Sequence, residues 1–412
     1  MKKVLLSLML IMLMVGIAVT GCAKPAPSAA PTPAPAPTKT LDIGVATPLT
    51  GPMSFVGTTI HNAVLLAIED QNNEGGVTIG GQKYKLNPIV RDTKQDLVLG
   101  KSIAEELIFD KGVKVIMGPF VSDAIGAQPV TEKNKITAFL MQPTLMSMTG
   151  PNKPYTFFFG GSPEQFYNNT SAYTQKFYPE LKKVLSLSPD IPSLPIFEAA
   201  IKKVLPHYGQ EWLGMDKFPL STRDLTPVIA RALAKNPDIF DCSCSGGMAG
   251  MGPLVPKIAR EIGFTGPIIM PMSPAKGALE EVVPAKSLTG VIMNDYDINS
   301  AATTPKFRAV HDRAKEKYKI VPDVLLFNTY NVTKAFFEFL NTQNVIDSTV
   351  WMEGFAKYRW QNIYGFENYW LGENLWGIDR RVWQCPWVSE YRDGKVGTQF
   401  EAPLPDYLLE GK

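Results

Sequence analysis

Apolar positions along this chain fall into short blocks with two alternating periods. Leu41-Asp42-Ile43-Gly44-Val45-Ala46 reads as a buried strand that stops at Thr47-Pro48. Gly51-Pro52 then makes a loop, and from Thr59 to Asn72 helical spacing puts Ile60, Val64, Ala67 and Ile68 on one face. Asn73-Glu74-Gly75-Gly76 ends that helix with glycine chemistry. The spacing goes on to predict a strand over 84–90, a helix over 96–110, a strand over 113–117, a helix over 122–133 and a strand over 137–141. Regular strand–helix alternation of this kind builds a parallel, doubly wound sheet with helices on both faces.

The pattern restarts after Gly160-Gly161. It predicts helices over 165–178, 194–205, 224–235 and 253–262, and strands over 183–187, 239–243, 267–270 and 290–293. This is a second α/β lobe of similar size. Two such lobes make a cleft facing the carboxyl ends of both sheets, where ligands bind in this architecture.

The amino terminus follows neither period. Lys2 and Lys3 precede an apolar run from Val4 to Val19, and Thr20-Gly21-Cys22 follows it. That order is the layout of an export signal. The run is shorter than the ~20 residues that span a bilayer, and no stop-transfer flank follows. The segment looks like a bacterial lipobox, with 1–21 as the signal peptide and Cys22 as the lipidated residue. Residues 22–39 are rich in Pro, Ala, Ser and Thr, cannot bury enough surface to offset their ordering entropy, and read as a solvated tether. The expected location is extracytoplasmic, attached to a membrane by lipid.

Composition narrows the classes further. The net charge of +2 gives no push toward nucleic acid. Thr40–Lys412 exceeds the ~250–300 residues of a single core, as two lobes require. Besides Cys22 the cysteines are Cys242, Cys244 and Cys385, and the C-x-C pair lacks the second pair or nearby histidines of a metal site. Neither metal nor cofactor is expected. Gly246-Gly247-Met248-Ala249-Gly250-Met251-Gly252 fits no dinucleotide frame and has no Walker lysine, so close backbone approach to a ligand or helix explains it better.

The opening Ile43-Gly44-Val45-Ala46-Thr47-Pro48-Leu49-Thr50-Gly51-Pro52, then Ala67-Ile68-Glu69-Asp70 and Asn73-Glu74-Gly75-Gly76-Val77, resemble the branched-chain amino acid-type (Leu/Ile/Val-binding) solute-binding proteins of ABC importers. Val115-Ile116-Met117-Gly118-Pro119 with Ser122, Asn236-Pro237-Asp238 and the late Asp379-Arg380-Arg381-Val382-Trp383-Gln384 extend the resemblance over nearly the whole mature chain. It implies the type I periplasmic-binding fold: two doubly wound Rossmann-like lobes joined by three crossings, with hinges near Gly160, near Val291 and before the last strand. The lobes are expected at 40–160 plus 292–378 and at 161–291 plus 379–412. The implied partners are a small-molecule ligand and ABC permease subunits, and the protein is expected to be a monomer.

The resemblance also implies that the first lobe holds a ligand carboxylate through Ser122 and the segment Gln142-Pro143-Thr144. Hydroxyl and backbone N–H donors at a helix N-terminus suit an anion, although an ordinary cap would serve Ser122 equally. Amino-acid-binding members place a carboxylate in the second lobe against the ligand ammonium. Here Met272 falls at that position, and Gly247-Met248-Ala249 replaces paired aromatics. A buried ammonium without a partner is costly, while methionine suits apolar and aromatic surfaces. The expected solute therefore bears a carboxylate on an apolar or aromatic body, with no α-amino group. Phe55 and Tyr296 are candidate aromatic walls.

Trp351 to Trp387 holds six of the seven tryptophans and reads mainly as packing, with Trp383, Tyr364 and Tyr369 as alternative cleft residues. No G-x-S-x-G elbow is present, and His61, His207 and His311 have no nucleophile nearby in sequence, so no catalytic residue is assigned. A lipid-tethered sensor remains an alternative, and a secreted hydrolase a remote one.

Overall fold

The computed structural model describes residues 38–408 apart from 52, 142–144, 243–251, 271–278, 281–282 and 374–376. One sheet takes the early strands β1 (Lys39–Thr47), β2 (Val77–Ile79), β3 (Gln82–Asp92), β4 (Val115–Met117), β5 (Thr137–Leu140) and β6 (Thr156–Phe158). A second takes β7 (Lys183–Pro189), β8 (Glu211–Phe218), β9 (Ile239–Asp241), β10 (Ile268–Ile269) and β11 (Val291–Met293). β12 (Trp360–Gln361) and β13 (Glu367–Asn368) form a separate small ribbon. The chain then adds β14 (Trp370–Leu371) and β15 (Arg381–Val382) to the first sheet, and β16 (Trp387–Arg392) and β17 (Lys395–Glu401) to the second.

The strand orders are β14-β15-β6-β5-β4-β1-β3-β2 and β17-β16-β11-β10-β9-β7-β8. With β2 and the late strands β14–β17 set aside, both sheets have the same parallel order, second-first-third-fourth-fifth in sequence. A sheet wound this way changes direction between its first and third strands, and ligands bind beyond the carboxyl ends there. The two switch points lie between β1 and β4 and between β7 and β9.

Burial explains why the strands read as continuous apolar blocks. β4, β5 and β6 are buried at every residue, because helices cover both faces. On one face the helices Ser54–Asn73 and Val324–Leu340 pack together; on the other, Leu97–Glu105 packs on Ser122–Lys133. Phe139, Phe157, Phe336, Phe355 and Trp370 form the centre of the first core, with ring centroids 4.6–5.7 Å apart among Phe139–Phe336, Phe157–Trp370 and Phe139–Phe355. Each such ring, fully buried, contributes about 1.5–3 kcal/mol through the water it sheds. The second lobe has its own cores, one around Phe240, Ile268 and Val291 and one around Phe197 and Ile201.

The chain passes between the sheets three times: after β6, after β11 and between β15 and β16. Polar side chains bind these crossings to one another. The Gln384 amide nitrogen donates to the Phe159 carbonyl at 2.6 Å, and Gln165 donates to the Cys385 carbonyl at 3.4 Å. Asn294 donates to the Phe166 carbonyl, and the Ser389 hydroxyl to the Asp295 carbonyl.

The helix expected over 96–110 is α-helical only over Leu97–Glu105 and widens into a π turn over Glu106–Asp110. The bidentate contact of Arg91 with Glu106 sits at the change. The last strand is one arm of the β16–β17 hairpin rather than a lone strand.

Candidate functional site

Three loops leave the carboxyl end of the first sheet around its switch point. After β1, Thr47-Pro48-Leu49-Thr50 turns into the helix Ser54–Asn73. Asp92, at the end of β3, fixes this loop: its Oδ1 accepts from the amides of Leu49 at 2.8 Å and Lys94 at 2.9 Å, and its Oδ2 from the Thr50 hydroxyl at 2.6 Å. Partial burial pushes the Asp92 carboxyl up, but the hydrogen bonds from Thr50, Lys94 and Leu49 outweigh it and hold the acid below its ordinary range. Gly57 lets the loop fold onto the helix, since a Cβ there would lie 1.9 Å from the Pro48 carbonyl oxygen. Phe55, in the first turn, is half-buried against the first core.

The second loop follows β4. Gly118 (φ +108°) brings the backbone within 3.0 Å of Phe139, its N–H donating to that carbonyl. Val121 then adopts φ +59° and ψ −113°, a conformation that a β-branched residue holds only where its surroundings impose it. Ser122 is half-buried and opens the helix Ser122–Lys133. The cap position belongs to Val121, and among the described residues the helix has no side-chain cap hydrogen bond. The Ser122 hydroxyl is thus not spent on capping. Behind it, buried Asp123 accepts from the Phe120 amide at 3.1 Å and from the Thr93 hydroxyl at 2.8 Å, both at Oδ2. Burial pushes the Asp123 carboxyl up to about 7, against the hydrogen bonds from the Phe120 amide and Thr93 hydroxyl and, more weakly, the Asp123 and Ala124 amides.

The third loop follows β5 at Met141, whose amide donates to the Pro119 carbonyl and whose carbonyl accepts from Gly160. Gln142, Pro143 and Thr144 lie outside the described residues, as do Met248 and Met272 in the second lobe and the lipidation candidate Cys22. β9 ends at Asp241, beside the second switch point, and β10 at Ile269. The first-lobe candidates Phe55 and Ser122 therefore lie in the first turns of the two helices that follow β1 and β4, the strands flanking the first switch point.

Tyr296 lies within the first core. Its hydroxyl donates to the Pro322 carbonyl at 2.6 Å, and its ring meets Phe307 edge-on at 4.8 Å and Phe327 at 5.3 Å. Nearby Asp323 caps the helix Val324–Leu340 through the Leu326 amide. Burial, with the neighbouring Asp295 carboxylate, pushes Asp323 up to about 7.

The described tryptophans of 351–387 are all buried. Trp383 packs on Leu371, Tyr364 donates to Asn328 at 2.7 Å, and Tyr369 lies under Arg359 at 4.5 Å. Each histidine has a structural neighbour: His61 contacts Asn62, His207 stacks on Tyr407 at 3.7 Å, and His311 contacts Asp312. Among the described residues there is no group of three or more His, Cys, Asp or Glu side chains that could hold a metal ion, and no helix long and apolar enough to cross a membrane. Sequence reasoning missed Asp123, Thr93 and Gln384. Only the turn at Val121 and chain reversals far apart in sequence give them their roles, and no local pattern signals those.

Residues 40–395 match the periplasmic binding protein family. The chain belongs to it. A Leu/Ile/Val-binding protein homolog of Brucella abortus is 24% identical over 191 residues, 46% of this chain and 47% of the relative. The chain thus aligns with about half the length of the curated relatives it matches. Among solved structures, the fold resembles a solute-binding protein of an ABC transporter from Rhodopseudomonas palustris in complex with 3,4-dihydroxybenzoic acid (TM-score 0.69, 21% identity, 88% of this chain and 98% of that one). A solute-binding protein from R. palustris in complex with benzoate gives TM-score 0.69 at 16% identity, covering 88% and 96% of the two chains. A branched-chain amino acid-binding protein of Streptococcus pneumoniae in complex with isoleucine gives 0.68 at 17%, covering 88% and 99%. These likenesses fix the type I, two-lobed architecture of this periplasmic binding protein.

Proposed function

We propose that this periplasmic binding protein captures a small carboxylate-bearing solute between two closing lobes and delivers it to an ABC permease, without catalysing a reaction. The observation that carries the reading is the placement of Ser122. It opens a helix at the first switch point with a hydroxyl unused by the cap, and Phe55 stands in the first turn of the helix that follows the adjacent strand β1. Donors at a helix N-terminus favour an anion, and the solutes named for the structural neighbours all bear a carboxylate. Gln142, Pro143 and Thr144 would complete the carboxylate seat, with Met248 and Met272 forming the far wall of an aromatic or apolar acid. A branched-chain amino acid is the less favoured solute, because Met272 offers no charge to an ammonium.

The reading extends to the whole chain. Two lobes would close about the three crossings, with β11 completing the second lobe and β15 the first, a few residues beyond the expected boundaries at 291 and 378. The signal 1–21, lipidated Cys22 and the tether 22–39 would hold the monomeric body beside its permease and raise its effective concentration there. The test is a thermal-shift screen of the protein with benzoate, 3,4-dihydroxybenzoate, isoleucine and leucine. A rise in melting temperature with the aromatic acids supports the reading. No shift with any carboxylate, together with turnover of an ester, would sink it.

A further inference from the structure

The carboxyl of Asp123 sits where an anionic solute would be least welcome. It follows Ser122 directly, at the same helix N-terminus, and is 0% exposed. Its Oδ2 takes the Phe120 N–H and the Thr93 hydroxyl. Its Oδ1 is buried and has no hydrogen-bond partner among the described residues. A solute anion on Ser122 and the fully buried carboxylate of the next residue repel each other. The turn offers the carboxyl no retreat. A Cβ on Gly100 would come within 2.6 Å of the Asp123 Cα, so the helix Leu97–Glu105 presses directly on it, and Val121 is locked in its left-handed turn in front.

Among the described residues, no fixed cation faces this group to neutralise it. On the β3 exit, Asp92 is turned to Leu49, Thr50 and Lys94 amides, and the Lys94 side chain is exposed. On the packed helix, Asp96 caps Leu99 and Lys101 pairs with Glu105 at 3.9 Å. On its own helix, Glu132 lies at the far end with the Thr156 hydroxyl, beside Lys133.

Resting on the carboxylate reading above, we infer that solute capture is proton-linked: a carboxylate seated on Ser122 enters together with one proton from solvent, which binds Asp123 at Oδ1. No other bond forms or breaks. The acid is already poised near neutrality by burial, so the seated anion need only move it upward. Linkage then requires the affinity for the anion to fall as pH rises through and above neutrality. Asp123 acts through the site's electrostatics and does not touch the solute, because both its oxygens are buried.

The test is calorimetric titration of the full-length chain with benzoate, ionised throughout the range, near pH 7 in two buffers of different ionisation enthalpy. The expected result is uptake of a fraction of a proton per benzoate, and binding about tenfold weaker near pH 8 than near pH 6. In Asp123→Asn, which keeps an oxygen for Phe120 and Thr93, the pH dependence should shrink below about twofold. Thr93→Val removes a donor to the charged form and should move the midpoint to higher pH. Zero proton uptake in the wild-type protein with flat affinity would overturn the inference, whether or not the variants fold. No binding of benzoate, 3,4-dihydroxybenzoate or isoleucine at any pH would instead remove the carboxylate reading and this inference with it.

Discussion

The backbone amide of Gln384 donates to the side-chain oxygen of Gln165 at 3.1 Å, joining residues 219 apart in sequence and tying the third crossing to the helix that follows the first. The Gln384 side chain also donates to the Phe159 carbonyl on the first crossing, and the Gln165 side chain to the Cys385 carbonyl on the third. Replacing Gln384 by Ala strands the buried Phe159 carbonyl and removes the longer bond to the Asn328 carbonyl, while the backbone amide keeps its bond to Gln165. The expected cost is about 1–3 kcal/mol, read as a lower urea midpoint. Because the lost bonds lie at the crossings, the rate of solute release should rise more than in an equally destabilised core variant such as Phe197→Leu; stopped-flow dissociation checks this.

The seat on the first lobe gives a separate expectation. Ser122→Ala should leave the melting temperature of the ligand-free protein nearly unchanged, because its hydroxyl caps nothing among the described residues. A hydrogen bond to a charged group is worth about 1.5–3 kcal/mol, so affinity for the bound acid should fall by about 10- to 100-fold. A loss of stability without a loss of affinity would return Ser122 to a purely structural role.

Gly57→Ala places a methyl group against the Pro48 carbonyl, which lies 1.9 Å from the ideal Cβ position. Backbone cannot swing aside as a side chain can, so the loop 47–53 must lift. A stability loss of about 1–3 kcal/mol is expected, with weaker binding as Phe55 moves. Unchanged unfolding curves would contradict the close approach.

Much of this architecture was legible because parallel strands buried on both faces write continuous apolar blocks: β1, β4, β5 and β7 lie where the pattern puts them, and the helix Ser122–Lys133 matches its expected limits. β8 was missed because an edge strand is only half-covered, so Glu211–Phe218 mixes exposed and buried positions without a clear period. β6 was missed because three residues between turns carry too little pattern. In the site, Ser122 and Phe55 could be proposed from their motif, and the strand order now gives a physical reason for their placement after the strands flanking the first switch point. The strain at Val121 and the carboxyl behind Ser122 had no counterpart in the sequence, since both depend on how β3 and Gly100 press on the turn.

The pH dependence of folding follows from Asp123 and Asp323, each raised from 3.8 to about 7. An acid whose folded pKa is raised binds a proton that the unfolded chain releases, so stability falls as pH rises from about 4 to about 7 and levels off above. Each pKa unit is worth about 1.4 kcal/mol, and each acid loses about two units' worth between about pH 5 and about pH 8, so a drop on the order of 5 kcal/mol from the two together is expected in urea titrations. Asp323→Asn keeps the cap and should flatten part of the slope. A protein more stable at pH 8 than at pH 5 would contradict the assignment.

The central claim is that a carboxylate is held on Ser122 between two lobes, and a crystal structure with a co-purified or soaked aromatic acid tests it most directly. The account predicts the carboxylate within hydrogen-bond distance of the Ser122 hydroxyl, with the ring reaching residues of the second lobe. An acid bound away from the β1–β4 switch point, or touching one lobe only, would contradict it.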